Sequence, residues 1–221
     1  MLLKMKEAFN TLRLILTLFV IIMVIPEVKA QTYETLTSMD VSLAQQTYSA
    51  PTINKSVVGE PLYIGGTSYK SGVGVHSNST IKVKLNNAKS FHAKVGVNNS
   101  NIDYRLKTVK TIPLTDGKRI FYNVTDTKKQ FLGIEGSDGK VDKGSVIFKV
   151  LHKGKEVYNS GVMRQGDSAK EINLKIRGGV LELVVEDAGD DASGDHAIWA
   201  DAKFEYFEIA PVIVQGDFKG E

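Results

Sequence analysis

The sequence predicts an all-β sandwich, and three observations predict it. Apolar residues recur at every second position in five segments: Ile81, Val83 and Leu85; Phe91, Ala93, Val95 and Val97; Val146, Phe148 and Val150; Ile172, Leu174 and Ile176; Leu181, Leu183 and Val185. A period of two marks a strand that buries one face. No segment beyond the N-terminal leader carries a helical apolar stripe. Glycine, asparagine and aspartate separate the alternating runs, as turns between short strands require.

The elements follow in order. Met1–Ala30 reads as a secretory signal peptide. Lys4, Lys6 and Arg13 form a basic start, Leu14–Ile25 an apolar run, and Val28-Lys-Ala30 offers small residues before a cleavage point. The apolar run is short for a bilayer span, which takes about twenty residues. The expected location is secreted, periplasmic or cell-surface. The chain has no cysteine, so it is not a lipoprotein and has neither disulfides nor thiolate metal sites.

Residues 31–60 read as an entry strand or irregular edge, around Ser38–Ser42, and a loop containing Pro51 and Asn54. Pro61–Tyr69 is a short strand with a Gly65-Gly66 turn. Gly72-Val-Gly74-Val-His76 follows, and alternating glycines in a strand point to close approach of another backbone or of a ligand. The sandwich is expected over 33–209, with an insertion at 100–143. Within that insertion are strand-like runs at Tyr104–Ile112, Arg119–Val124 and Gln130–Glu135, and a hairpin signal at Thr115-Asp-Gly117. Val180–Glu186 and Ala200–Glu208 read as strands flanking a long acidic loop. Residues 210–221 read as a linker or a truncated tail.

Net charge is +3, of which the leader holds Lys4, Lys6, Arg13 and Lys29 against Glu7 and Glu27. A nearly neutral remainder gives no electrostatic footprint for nucleic acid. Nucleotide-binding, zinc-protease and nucleophile-elbow motifs do not occur. A glycosidase needs two carboxylates facing across a cleft, and one sandwich uses up the chain without forming a second wall for one.

The order of motifs resembles the NPCBM/NEW2 family of carbohydrate-binding modules, often attached to glycoside hydrolases including α-galactosidase-like enzymes. The resemblance rests on Gly65-Gly-x-x-Tyr69-x-x-Gly72-Val-Gly74-Val-His76, Phe91-x-Ala-Lys-Val-Gly96-Val, Gly144–Val150, Tyr158-x-Ser-Gly-Val-Met163 and Asp187-Ala-Gly-Asp…Asp195-His-Ala-x-Trp199-Ala-Asp201. It implies a jelly-roll, galactose-binding-domain-like sandwich. It also implies a non-catalytic module for galactose-type glycans, working with a glycoside hydrolase domain or subunit. Asn98-Asn99 depart from the acidic residue usual after Gly-Val, and the 100–143 stretch is longer than the family's loop. Two other readings stand beside this one: the front piece of an α-galactosidase-like hydrolase, or an interaction domain that kept the fold and lost the sugar site.

Sugar recognition needs an aromatic face for C–H groups and polar side chains for vicinal hydroxyls. The candidates are Trp199 for the face and His76, Asn98, Asp195 and His196 for the grip. Each has a structural alternative: Trp199 as an anchor under the loop, His76 as a hydrogen-bonded core residue, Asp195 as a cap on loop backbone. Strand parity sets Ala200, Ala202, Phe204 and Tyr206 on one face and Trp199, Asp201 and Lys203 on the other. If Phe204 is core, Trp199 then faces away from it unless a bulge intervenes. Structural Ca2+ is a further expectation: the resemblance to sugar-binding sandwiches makes Asp40 and Asp201 candidate ligands, with solvated surface carboxylates as the alternative, and the loop from Asp187 does not follow the EF-hand pattern.

Overall fold

The structure is a computed structural model that describes residues 3–7, 9–10, 31–98, 109–113, 119–125, 128–134, 144–189 and 192–215. The chain divides into two units, Met1–Gln31 and Thr32–Glu221. In the first, residues 3–7 and 9–10 are helical. The apolar run Leu14–Ile25 lies outside the described residues. Among the described residues no helix is long and apolar enough to cross a membrane.

The second unit is built of strands: β1 (Thr32–Thr35), β2 (Gln45–Gln46), β3 (Thr52–Ile53), β4 (Leu62–Ile64), β5 (Thr67–Tyr69), β6 (Gly72–His76), β7 (Ser79–Lys84), β8 (Ala88–Val97), β9 (Val109–Pro113), β10 (Arg119–Thr125), β11 (Lys128–Ile134), β12 (Ser145–His152), β13 (Lys155–Arg164), β14 (Lys170–Lys175), β15 (Val180–Asp187), β16 (His196–Tyr206) and β17 (Val212–Ile213). One sheet runs β14-β8-β16-β6-β3, with β1 also on β16. The other runs β13-β12-β15-β7-β17, with β2 also on β7. Every pairing in the two sheets is antiparallel. The all-β sandwich is therefore as expected.

The alternating residues explain the core. Ile81, Val83, Leu85, Phe91, Val95, Val97, Val146, Phe148, Val150, Ile172, Leu181, Leu183 and Val185 are all buried in one cluster between the sheets. Each such side chain, fully buried, contributes about 1.5–3 kcal/mol. Their polar neighbours form exposed or half-exposed outer faces, where Lys149 pairs with Glu186 at 2.7 Å across β12 and β15.

Three local features differ from the sequence expectations. Of the two readings of Ser38–Ser42 the strand gives way to the irregular one: Leu36–Ser38 and Val41–Leu43 are 3-10 turns, and the entry strand is the earlier Thr32–Thr35. Asp40 stops the backbone from extending there by capping the second turn through Ser42 N. The sandwich also continues past Ile209, because Val212–Ile213 pairs with Lys84 and Val83 and Ile213 is buried. Finally, β16 begins at His196, inside what the sequence reads as loop. In the 100–143 stretch, β9, β10 and β11 form their own antiparallel sheet. The turn signal Thr115–Gly117 lies outside the described residues, though Arg119 pairs with Pro113 on either side of it.

A bulge in β16 governs the site. β16 pairs with β6 from His196 to Ala200, and with β1 from Lys203 to Tyr206. Its register against β8 shifts between Ala200 and Lys203, where Asp201 adopts φ +47°. Aspartate tolerates this left-handed conformation better than most residues. Two residues then occupy the space of one, and the alternation slips by one position.

A second, smaller core lies on the outer face of the same sheet. The β4–β5 hairpin lays Leu62 and Ile64 on Ile198 and Ala200, with Tyr69 and Ala169 beside them. The glycines of β6 and β8 admit this layer. A Cβ on Gly72 would sit 3.0 Å from Leu62 Cδ1, one on Gly96 would overlap Ile64 Cγ2, and one on Gly74 would overlap the carbonyl of Lys55. Of the two partners that the glycine pattern allowed, a second stretch of backbone occupies this face.

Candidate functional site

Chain connections gather at one end of the sandwich. Ser77–Asn78 carries β6 into β7, residues 165–169 carry β13 into β14, and residues 188–195 carry β15 into β16. The loop from β2 to β3, the end of β8 and the start of β12 meet there as well, since Gln46 pairs with Ser79, Ala197 with Val97 and Val146 with Asp187. Loops on a rigid sheet are the usual carriers of binding residues.

Two of the five sugar-site candidates come together at this end. His76 and His196 are directly opposite across β6 and β16. Their ring centroids are 5.9 Å apart and edge to face. Tyr48, from the β2–β3 loop, places its ring 4.8 Å from that of His76 and remains 53% exposed. Gln46 Oε1 accepts from His76 N, and Gln46 Nε2 donates to Tyr48 O, which ties the loop to the strand. His76 Nδ1 lies 3.4 Å from Ser77 Oγ. Burial lowers the pKa of His76, against a smaller opposing effect of the Ser77 backbone. Burial also lowers that of His196, and the neighbouring His76 lowers it further. Both rings are therefore neutral at neutral pH, and each offers one N–H donor and one nitrogen acceptor.

Asn98 and Asp195 lie beneath this cluster as braces. Asn98 is buried: Oδ1 accepts from Tyr63 N at 2.9 Å, its N–H donates to His196 O at 2.6 Å, and its carbonyl accepts from Gln165 Nε2 at 3.1 Å. One residue thus binds the hairpin, the start of β16 and the turn after β13. The departure from the family pattern at position 98 sits in this framework. Asp195 is fully buried, and its Oδ1 accepts from Ser145 N at 2.9 Å, joining the loop before β16 to the first residue of β12 in the other sheet. Asp195→Ala would strip a buried N–H of its acceptor and is expected to cost about 1–3 kcal/mol. Urea unfolding measures this, and Asp195→Asn should recover much of it.

Trp199 is elsewhere. It is fully buried in the main core, edge to face with Phe148 at 5.2 Å and 6.4 Å from Phe91. The Asp201 bulge is the reason: it puts Trp199, Ala202 and Phe204 on one face and Ala200 on the other. The stacking face expected of Trp199 is corrected accordingly, because a ring with no exposed area stacks on nothing. Tyr48 is the aromatic that sequence reasoning passed over. Its one signal was a tyrosine in a polar loop just before Pro51.

The two calcium candidates lie on different elements, Asp40 at the start of a 3-10 turn and Asp201 within β16. Asp40 Oδ1 accepts from Ser42 N and Ser42 Oγ, and Asp201 is exposed at the bulge. Calcium takes six to eight oxygens. Among the described residues no group of three or more His, Cys, Asp or Glu side chains is placed to hold a metal.

Comparison with known proteins agrees with this architecture. The NPCBM/NEW2 domain model matches residues 32–129 and 117–205. The two stretches build one sandwich, because β6, β7 and β8 pair with β15 and β16. A curated protein of Renibacterium salmoninarum bearing the name endo-alpha-N-acetylgalactosaminidase is 25% identical over 160 residues, which cover 71% of this chain and 8% of that protein. Alpha-1,3-galactosidase B of Akkermansia muciniphila is 26% identical over 155 residues, 67% of this chain and 14% of that enzyme. The chain thus spans a small part of the curated relatives it matches. Among solved structures, the CBM51 of Clostridium perfringens GH95 in complex with methyl-galactose superposes with a TM-score of 0.56 at 22% identity, covering 78% of this chain and 99% of that one. CBM51-2 of Clostridium perfringens ZmpB in complex with GlcNAc gives 0.58 at 22%, covering 79% and 32%. With family matches that together run from residue 32 to residue 205 and one sandwich made from them, the chain belongs to the NPCBM/NEW2 domain family.

Proposed function

We propose that this protein is the non-catalytic carbohydrate-binding module of an exported protein, recognising galactose-type or related glycans through the Tyr48–His76–His196 cluster. The observation that carries this reading is the exposed Tyr48 ring leaning on His76, which in turn meets His196 edge to face at the loop end. A phenol ring offers a face to sugar C–H groups, and neutral imidazoles exchange hydrogen bonds with hydroxyls. The relatives' names, α-galactosidase and α-N-acetylgalactosaminidase, and the methyl-galactose of the first solved neighbour favour a galacto-configured sugar. The GlcNAc of the second keeps N-acetylglucosamine in the panel. A shallow site buries little of its ligand, so affinity per site is weak. Such a module raises the local concentration of a glycoside hydrolase at its substrate.

The test is a glycan array and calorimetry on the exported protein and its Tyr48→Ala variant, with and without calcium. Galactoside binding that falls about fivefold or more in the variant, with thermal stability unchanged, supports the site, since one stacked ring is worth about 1 kcal/mol. Loss of binding on chelation adds calcium as support for the site. The burial of Trp199 favours a second reading, a sandwich interaction domain without a sugar site. Absence of binding to every glycan by folded protein selects that reading.

A further inference from the structure

The histidine pair has a property that sugar binding alone does not require. His76 and His196 are register partners on adjacent antiparallel strands. His76 is 6% exposed and His196 is half-buried. Like charges directly opposite on a sheet repel, and a buried imidazolium loses its hydration. Among the described residues, none of the contacts seen for the two rings is with a carboxylate. On the β2–β3 loop the contacts are the Tyr48 ring and the Gln46 amide. On the β6–β7 turn the contact is the Ser77 hydroxyl. From β8 comes the amide nitrogen of Asn98, which donates to His196 O. The carboxylate next in sequence, Asp195, has Oδ1 on the amide of Ser145 in the opposite sheet.

We propose that the site is released by acid: glycan is held while both imidazoles are neutral and let go in mildly acidic medium, when a proton enters the pair. The proposal rests on the binding reading above and adds its regulation. The same backbone carries the consequence outward. His196 O is bonded to Asn98 N, and Asn98 in turn holds Tyr63 and Gln165. A proton on either ring therefore strains the start of β16 and loosens the loop end, while the core between the sheets is untouched.

The sign is set by linkage. Both folded-state imidazoles titrate below the ordinary value near 6.5, so the unfolded chain binds more protons through the window just below that value. Stability from the pair is complete above pH about 6.5 and is lost as pH falls toward the folded-state values. A histidine paired with a carboxylate would show the opposite slope.

Two measurements on the exported protein test this. The first follows the four imidazole side chains by NMR from pH 8 to 4.5 without sugar. Two rings titrating below 6.5, with His76→Gln moving the His196 midpoint upward, support the pair. Ordinary or raised midpoints for both overturn it whatever the sugar result. The second measures galactoside affinity at pH 7.5, 6.5, 5.5 and 5.0, with near-UV circular dichroism as a check on the fold. A fall of about tenfold or more by pH 5 with the fold intact is expected, since one proton excluded from the bound state gives up to tenfold per pH unit below the midpoint. Affinity that stays constant overturns acid release and leaves the binding reading standing. Affinity lost together with the global fold also overturns it. No binding at pH 7.5 removes the binding reading itself, and acid release with it.

Discussion

Trp199→Ala is expected to destabilise the whole sandwich and to leave the sugar site of the surviving folded protein intact. Trp199 is the largest fully buried side chain, and it fills the space between Phe91 of one sheet and Phe148 of the other. Truncating a buried Trp removes its transfer energy and leaves a cavity that β-sheets, pinned by their ladders, close poorly; the cost is about 3–5 kcal/mol. For a domain of this size that lowers Tm by about 6–20 °C. Trp199→Phe keeps most of the volume and should cost a fraction of this. Because Trp199 Nε1 has no hydrogen-bond partner among the described residues, phenylalanine leaves no acceptor stranded. Denaturant unfolding and glycan affinity, measured on the same three proteins, separate the two roles. A stacking Trp would lose affinity with stability nearly unchanged. A core Trp loses stability with the affinity of folded protein nearly unchanged.

That residue also shows where the sequence stops being legible. Period-two alternation placed Ile81, Phe91, Phe148, Leu183 and their neighbours in the core, because strands of one buried face have no other way to satisfy the pattern. Parity along β16 failed because one residue, Asp201, takes a left-handed conformation where β16 passes from β6 to β1. The change of partner is a tertiary event with no local sequence mark, and aspartate is permissive of the conformation without demanding it. The alternating glycines were more informative. Gly72 and Gly74 signalled close approach, and the sequence left open whether to backbone or ligand.

The candidate site was half legible for a related reason. His76 and His196 lie 120 positions apart, yet the motifs at both ends were visible, and antiparallel pairing of β6 with β16 brings them face to face. Asn98 and Asp195 have the chemistry of ligand-gripping groups, but the Oδ1 of each is taken by a backbone amide, that of Tyr63 and that of Ser145. An amide or carboxylate near a site looks the same in sequence whether it faces the ligand or braces the loop that does. Tyr48 was hidden by the opposite circumstance, as an ordinary tyrosine in an irregular loop made significant by the partner it leans on. The 3-10 turns at Leu36–Leu43 likewise carry hydrophobic residues at spacings that suit a strand as well as a turn.

Gly74→Ala is expected to be among the most damaging single-methyl changes available to the protein, and to act on the site. The added Cβ would overlap the carbonyl oxygen of Lys55 and lie 2.7 Å from Ser56 Cα, both of them backbone atoms. No rotamer relieves such a contact, so the 55–56 segment or strand β6 must move. Both options are costly: Ser56 N donates to Glu60 O at 2.7 Å and its Oγ accepts from Glu60 N, while β6 is held by β3 on one side and β16 on the other. Overpacking of this kind costs about 1–3 kcal/mol, and backbone-to-backbone contact belongs at the upper end. Gly74 lies two residues before His76 on the same face of β6, and opposite Ile198, two residues after His196. A displaced β6 therefore carries His76 away from its partner. The expected result is a loss of stability of about 3 kcal/mol in urea unfolding together with weakened glycan binding in the folded fraction. Gly161→Ala, on the exposed edge strand β13, is the control for a glycine whose added methyl meets nothing within 4 Å; its φ of +63° gives a conformational cost of about 1 kcal/mol, remote from the histidine pair. If Gly74→Ala were no more harmful than Gly161→Ala, the packing of residues 55–56 against β6 would be wrong.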